Sequence, residues 1–184
     1  MQNTPRFCSR LSAVARGVVF VVALLGATTA QAGIKSERLL AAIIQRTPAS
    51  VLVAEGQQMK QAEQAVAAIP GAEALWGVGD SMEPLYSNHT AVVVAPISFK
   101  DLRKGMTVIY LNRSGRMVAH SLTGDVAKGW IAQGVNNDDE DDDLVTRGNL
   151  VGVIVQAYSE MHTNFRTALA QQLIAKGKLP AGQT

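Results

Sequence analysis

Cysteine is almost absent from this chain: Cys8 is the only one among its 184 residues. Cys8 lies in an N-terminal segment that we expect to be removed, which would leave the mature protein without a thiol. This excludes a disulfide framework, a thiolate nucleophile and a thiolate metal site. An excess of charge of one sign is also missing, because the net charge is only +2 and the basic residues are scattered. We therefore expect no nucleic-acid partner.

Several familiar site fingerprints are missing as well. Gly77-Val78-Gly79 is not followed by a third glycine that opens a helix, so it is no dinucleotide fingerprint. The chain has no Gly-x-Ser-x-Gly elbow, which weighs against an α/β-hydrolase. The acidic run Asp138–Asp143 lacks the ordered spacing of a calcium loop and is expected to be solvated. Because the three histidines are widely spaced, we also expect no zinc, and no cofactor is implied.

What is present at the N-terminus has the pattern of a secretory signal. A start with three arginines precedes the apolar run Val18–Leu25, and Ala30-Gln31-Ala32 supplies a small-x-small cleavage pattern before Gly33. We therefore expect residues 1–32 to be a signal peptide, with the mature protein exported to the periplasm or outside the cell. An uncleaved membrane anchor is the alternative, although the apolar run is short for a membrane span.

The first part of the expected mature chain, residues 33–71, has a helical pattern. Apolar residues recur at three- and four-residue spacing after Ser36, which suits an N-cap. Thr47-Pro48 should end this helix, and a second helix is predicted from Ser50 to Ala68. We expect a lid or docking arm. Association with a membrane surface is the alternative, but the dense Lys/Arg face typical of such helices is lacking.

Residues 72–159 have the pattern of a β-domain. Short β-branched runs alternate with turns. The predicted strands are residues 91–94, 106–111, 117–122, 130–132 and 150–157. Several short strands at this spacing predict a mainly β fold, a small coiled antiparallel sheet or barrel, rather than a βαβ fold. Residues 160–184 form the last predicted segment, with an amphipathic helix over Thr163–Ala175.

The candidate nucleophile is Ser81, in the segment Gly79-Asp80-Ser81-Met82-Glu83-Pro84. A serine hydroxyl is a weak nucleophile and needs a base within hydrogen-bond reach. Gly79 gives the backbone room, Pro84 stiffens the turn, and nearby backbone N–H groups are suited to stabilise an oxyanion. The candidate base is His120, in the apolar run 117–122, where an imidazole can take a proton from the serine.

Histidine in a strand has another interpretation, a side chain satisfied by a backbone carbonyl in the sheet. His89 follows a predicted turn and His162 precedes the last predicted helix, so neither is a better candidate for the base.

Together these motifs resemble the superfamily of signal peptidases and self-cleaving repressors. Within residues 75–157, Ser81-Met82-Glu83-Pro84 matches its serine motif, and Phe99–Met106 is similar to its lysine-rich turn before a strand. Ala119-His120-Ser121 matches the position of the base, a lysine or a histidine in this superfamily. Gln133–Asn137 resembles its Gly-Asp-Asn-Asn motif. The histidine type, that of the endoplasmic reticulum, archaea and some bacteria, is the closer match.

The chain departs from the family pattern at two positions. Val135 stands where the histidine-type enzymes usually carry an aspartate, and Ser121 stands where arginine usually follows the histidine. The resemblance assigns the orienting acid to Asp141, with Asp142 as the neighbouring alternative. Without such an acid, a typical triad loses about four orders of magnitude in rate.

The resemblance implies a serine endopeptidase that acts on exported peptides or proteins. An extended substrate would lie beside a sheet edge, with small side chains near the cut. An inactive exported binding module with the same fold is the alternative, favoured by Val135 and Ser121. A self-cleaving repressor is disfavoured, because the chain has an export pattern and no basic helix-turn-helix. The sequence predicts no particular oligomeric state.

Overall fold

The computed structural model describes residues 33–160, 170 and 172–180. The predicted signal over residues 1–32, His162, and residues 163–169 and 171 of the predicted last helix lie outside the described residues. Ala32–Thr184 forms one compact unit. Among the helices of the described residues, none is both long enough and apolar enough to cross a bilayer.

Seven strands form one open sheet. They are β1 Ser50–Val53, β2 Glu73–Trp76, β3 Ala91–Ala95, β4 Thr107–Leu111, β5 Met117–Val126, β6 Gly129–Gln133 and β7 Leu150–Glu160. Six strands are antiparallel neighbours in the order β2-β3-β7-β4-β5-β6, and β1 pairs parallel with the end of β7. The outer strands β2 and β6 do not pair with each other in the described part of the chain. The mainly β prediction is confirmed, and the structure is the sheet rather than the barrel.

The last strand in sequence, β7, is central in space. It pairs with β3 along one edge, and with β4 and then β1 along the other. Its length of 11 residues lets it span both halves of the sheet. Within the sheet, β7 is therefore the link between the β2–β3 half and the β4–β5–β6 half.

The first helix, α1 (Glu37–Arg46), begins and ends as predicted. The Ser36 side chain accepts a hydrogen bond from the N–H of Leu39, which satisfies one of the free donors of the first turn. Thr47-Pro48 follows the last residue, because proline disfavours a helical conformation in the residue before it.

The prediction of one helix from Ser50 to Ala68 is wrong in its first part. Residues 50–53 form β1, which pairs with residues 157–160 of β7, and the second helix, α2, covers only Gln58–Val66. The sequence Ser-Val-Leu-Val is rich in β-branched residues, and Gly56, with a φ of 74°, makes the turn into α2. Pairing with β7 outweighs the helical pattern, so this segment is part of the sheet and not a separate arm.

Helices cover both faces of the sheet. On one face, α1 and the C-terminal helical residues 170 and 172–175 enclose a buried cluster with side chains of β3, β4 and β7. On the other face, α2 packs against β3, and the segment around the short 3₁₀ helix Phe99–Asp101 covers the strands β4 to β6. All five residues of β3 are buried because both of its faces are covered.

Candidate active site

Ser81 lies in a turn that follows β2. Gly79 adopts a φ of 100°, a conformation that favours glycine, and its N–H donates to Asn88 Oδ1 at 3.2 Å. The N–H of Glu83 then donates to the carbonyl of Asp80 at 3.0 Å, closing a tight turn around Ser81. The chain therefore reverses at this point and presents the serine at the end of the sheet.

The residues that follow the serine anchor this turn in the core. Met82, Leu85 and Tyr86 are buried in the cluster beneath α1. The Tyr86 hydroxyl donates to the carbonyl oxygen of Pro48 at 2.8 Å, which ties the turn to the end of α1. A nucleophile on such an anchored turn keeps its position without support from the substrate.

His120 lies on β5, where the strand is paired on one side only. It faces Val108 of β4, whereas pairing with β6 begins at Ser121. The imidazole is buried, with 7% of the residue exposed, and its Nε2 lies 3.0 Å from Ser81 Oγ. The predicted nucleophile and base are thus within hydrogen-bond distance of each other.

Asp141 lies behind the imidazole. Its Oδ1 and Oδ2 lie 2.8 Å and 2.7 Å from His120 Nδ1. The loop after β6 brings it there, because the Asp141 N–H donates to the carbonyl of Ala132 at 2.8 Å. The neighbouring alternative, Asp142, is exposed. The structure therefore brings Ser81, His120 and Asp141 into one chain of contacts.

Tyr110 is a fourth member of this chain that sequence reasoning missed. Its hydroxyl donates to Asp141 Oδ2 at 2.7 Å, and the residue is 1% exposed. Burial, and then the hydrogen bond to Asp141, raise the pKa of the Tyr110 phenol far above its usual range, so it remains a donor. The β4–β5 register places Tyr110 and His120 on the same face, a signal that needs the strand pairing to be known.

The loop after β6 also holds the nucleophile turn. The N–H of Asn136 donates to the carbonyl of Ser81 at 2.8 Å, and its side-chain amide donates to the carbonyl of Asp80 at 3.2 Å. A Cβ on Gly134 would lie 2.7 Å from the Ser81 carbonyl oxygen, so this approach requires glycine. Val135, the departure from the family pattern, is buried in the same cluster as Met82.

Ser121, the second departure, points away from the triad. Its hydroxyl lies 2.9 Å from Thr107 Oγ1, which in turn lies 2.8 Å from Thr47 Oγ1. All three residues are buried, and Ser121 is fully inaccessible, so an arginine would not fit here. The small hydroxyl serves packing between β4, β5 and the end of α1.

A cleft of about 520 Å³ opens in front of Ser81 and His120. Residues 75–79 line it on one side and residues 116–120 on the other. Its rim is apolar and accessible, since Trp76, Val78 and Met117 are among the exposed large hydrophobic residues. The cleft thus lies between the end of β2, with the residues that follow it, and the beginning of β5.

The remaining candidates take no part in the contacts among Ser81, His120 and Asp141. His89 is exposed in a turn with a φ of 63°, as expected of a turn residue. Among residues 33–160, 170 and 172–180, no three metal-ligating side chains come together.

No protein-family model matches the chain, and no curated protein matches it either.

The arrangement has a definite chemical capacity. One imidazole nitrogen is positioned to take a proton from a serine hydroxyl, while the other contacts a carboxylate that fixes the tautomer and balances the charge of the imidazolium. An apolar cleft beside the hydroxyl offers space for an acyl group.

Proposed function

We propose that the protein is a serine endopeptidase of the signal-peptidase type. The observation that carries this proposal is the continuous series of contacts from Ser81 Oγ through the His120 imidazole to the Asp141 carboxylate. Nucleophile, base and orienting acid are recognised by such geometry rather than by their order in the chain. The family resemblance of the same three residues supports the assignment independently of the distances.

In this mechanism Ser81 Oγ attacks the carbonyl carbon of the scissile bond while His120 Nε2 takes its proton. The resulting imidazolium is stabilised by Asp141 and then gives the proton to the leaving amine. Water, deprotonated by the same imidazole, hydrolyses the acyl-enzyme. The Ser81 N–H, which makes no hydrogen bond within the described part of the chain, is the candidate donor to the oxyanion.

The substrate would be an extended peptide lying between two sheet edges. In the described chain, β2 has a neighbour on one side only, and residues 117–120 of β5 lack one on the side away from β4. Both edges border the cleft, so a peptide strand can pair with either by main-chain hydrogen bonds. Small side chains near the cut are expected from the family resemblance, and exported proteins are the expected substrates.

The binding-module alternative depended on Val135 and Ser121. Val135 belongs to the core beneath the nucleophile turn, and Ser121 belongs to a buried chain of hydroxyls. The position behind the imidazole is occupied by Asp141 instead. Neither departure therefore removes a group that the proposed reaction needs.

The test combines two variants with a matched control. Ser81→Ala and His120→Ala should each abolish cleavage of extended peptides with small side chains, to a similar level, because triad members act as a unit. The control is His89→Asn, which changes an exposed histidine and keeps a residue that tolerates positive φ. A fluorophosphonate should label Ser81 in the wild type but not in the His120→Ala variant. Cleavage retained in both alanine variants would contradict the roles proposed for Ser81 and His120, whereas a wild type that cleaves no peptide and is not labelled would favour the binding module.

A further inference from the structure

The residue that follows the predicted cleavage position is docked on the loop that holds the nucleophile. The Gly33 N–H donates to Asp138 Oδ1 at 3.3 Å, and the Ile34 N–H donates to the carbonyl of Val135 at 3.0 Å. Ile34 is 8% exposed and belongs to the same buried cluster as Val135 and Met82. The start of the expected mature chain is therefore inserted into the protein.

This docking requires glycine at its first position. Gly33 has a φ of 117°, and a Cβ built on it would lie 2.4 Å from the carbonyl oxygen of Val135. Both constraints exclude a side chain, since real Cβ atoms do not approach a backbone oxygen so closely. The structure thus gives a reason for glycine at position 33 that is independent of the cleavage pattern Ala30-Gln31-Ala32.

The loop that receives Gly33 also contacts the nucleophile. Between Val135 and Asp138 lies Asn136, whose N–H donates to the carbonyl of Ser81 at 2.8 Å. Because Gly33 and Ser81 both contact this loop, a stronger bond between Gly33 and the loop should also restrain the backbone of Ser81.

We propose that Asp138 is the binding site for a primary ammonium group, the α-amino group that hydrolysis of the Ala32–Gly33 bond creates. A peptidase of the exporting cell would add water across this amide, leaving a carboxylate on Ala32 and an ammonium on Gly33. The Gly33 nitrogen, a neutral amide in the uncleaved chain, then becomes an ammonium group with three N–H donors. Its hydrogen bond to Asp138 becomes charge-assisted. The mature N-terminus is thereby held on the loop that supports Ser81.

The proposal depends on the cleavage site predicted from the sequence and not on the catalytic role of Ser81. Only its consequence for turnover rests on the proposed function. A stability measurement therefore tests the ammonium site whether or not the protein is a peptidase.

The experiment compares two N-termini of the compact unit Ala32–Thr184. One protein begins at Gly33, released from a tag by a protease that cuts before glycine, and the other retains Ala32, so that its ammonium stands one residue earlier and Gly33 keeps a neutral amide N–H. We expect Tm to be about 2 °C higher for the Gly33 form, the size expected of one partly exposed ion pair in a domain of this length.

Two variants show whether Asp138 is responsible. Asp138→Asn should abolish the difference in Tm between the two N-termini, while the matched control Asp139→Asn, at the exposed neighbouring carboxylate, should preserve it. Equal Tm values for the two N-termini, or an undiminished difference in Asp138→Asn, would overturn the proposal.

A second measurement uses the full chain, expressed in an exporting bacterium. Intact-mass analysis of the purified protein should give Gly33 as the first residue, and retention of the leader or cleavage elsewhere would contradict the proposal. If the Gly33 form has the higher Tm but cleaves no peptide, the ammonium site stands and the proposed function fails. If both hold, we expect kcat to be about threefold higher for the Gly33 form because the Ser81 turn is better positioned.

Discussion

Two hydrogen-bonded chains diverge from consecutive residues of β5, and they differ in what they can do. From His120 one chain leads to Ser81 at the cleft and to Asp141 and Tyr110 behind it. From Ser121 the other leads through Thr107 to Thr47. Since successive side chains of a strand point to opposite faces, the sheet itself separates the two chains.

Both chains are series of hydrogen-bonded side chains that start on β5, but they differ in their chemical groups and in their access to the cleft. The first chain includes an imidazole and a carboxylate and ends at a cleft, so its polar groups are accessible from that cleft. The second contains only hydroxyl groups, all buried, which satisfy one another in the interior. We expect damage to the first chain to reduce catalysis, and damage to the second to reduce stability.

The largest effect should follow from Asp141→Asn, which breaks the first chain alone. An amide cannot balance the charge of the imidazolium or hold its tautomer, and in a typical triad this lowers kcat by about 10⁴-fold. Steady-state kinetics with a cleaved peptide would measure the loss. The matched control, Asp142→Asn, removes the exposed neighbouring carboxylate and should leave kcat within about twofold. A large loss in the control instead would assign the orienting acid to Asp142.

The next effect should come from Thr107→Val, which breaks the second chain at its centre. The Ser121 hydroxyl then loses its partner, while Thr47 still reaches the carbonyl of Gly105. A buried hydroxyl without a partner should lower the free energy of unfolding by about 1–3 kcal/mol, as measured by denaturant titration. Peptide turnover should be nearly unchanged. A loss of turnover without a loss of stability would contradict the division between the chains.

Tyr110→Phe should have a smaller effect on the first chain. The variant removes the donor to Asp141 Oδ2, so that the carboxylate is less well fixed. We expect a decrease in kcat of about tenfold or less with KM unchanged, equivalent to one hydrogen bond. Tyr158→Phe is the matched control, because the Tyr158 hydroxyl donates to Gln156 away from the triad. Equal kinetic effects of both variants would exclude a specific positioning role for Tyr110.

The smallest effect is expected outside both chains, at the surface pair of Arg113 and Asp143. The Arg113 N–H, and then its guanidinium, lower the pKa of Asp143 below its usual value of 3.8. Since the folded pKa is the lower one, the contribution to stability is present above pH 3.8 and is lost as the pH falls below it. Arg113→Ala should reduce Tm at neutral pH by about 1 °C or less, and the difference should shrink as the pH falls below 3.8.

Much of the fold follows from local patterns. The runs around β3 to β7 are β-branched and bounded by turn residues, and α1 begins and ends at the residues that cap it. β1 could not be recognised in the same way. Its four residues follow a helix and precede another, and only pairing with residues 157–160 makes them a strand.

The residues of the candidate site likewise fall into those that a local sequence pattern predicts and those that only tertiary contacts bring in. Motifs in the sequence predict Ser81 and His120, because chemistry restricts which residue types stand at those positions, and the family resemblance assigns Asp141, with Asp142 as the alternative. Tyr110 and Asn136 have no such signal. Tyr110 contacts Asp141 across strands and Asn136 contacts Ser81 from a distant loop, so both contacts depend on tertiary structure.

The central place of β7 has a consequence for how the protein is made. Ser81 follows β2 and His120 lies on β5, and the sheet joins their two halves through β7, a strand that the ribosome supplies after both of them. Pairing between strands that are distant in sequence slows folding, because the entropy cost of closing the long loop precedes the contacts that stabilise the pair. A nascent chain that stops before residue 150 therefore contains both Ser81 and His120 but no completed sheet to align them. Assembly of the site is timed by the order of the strands.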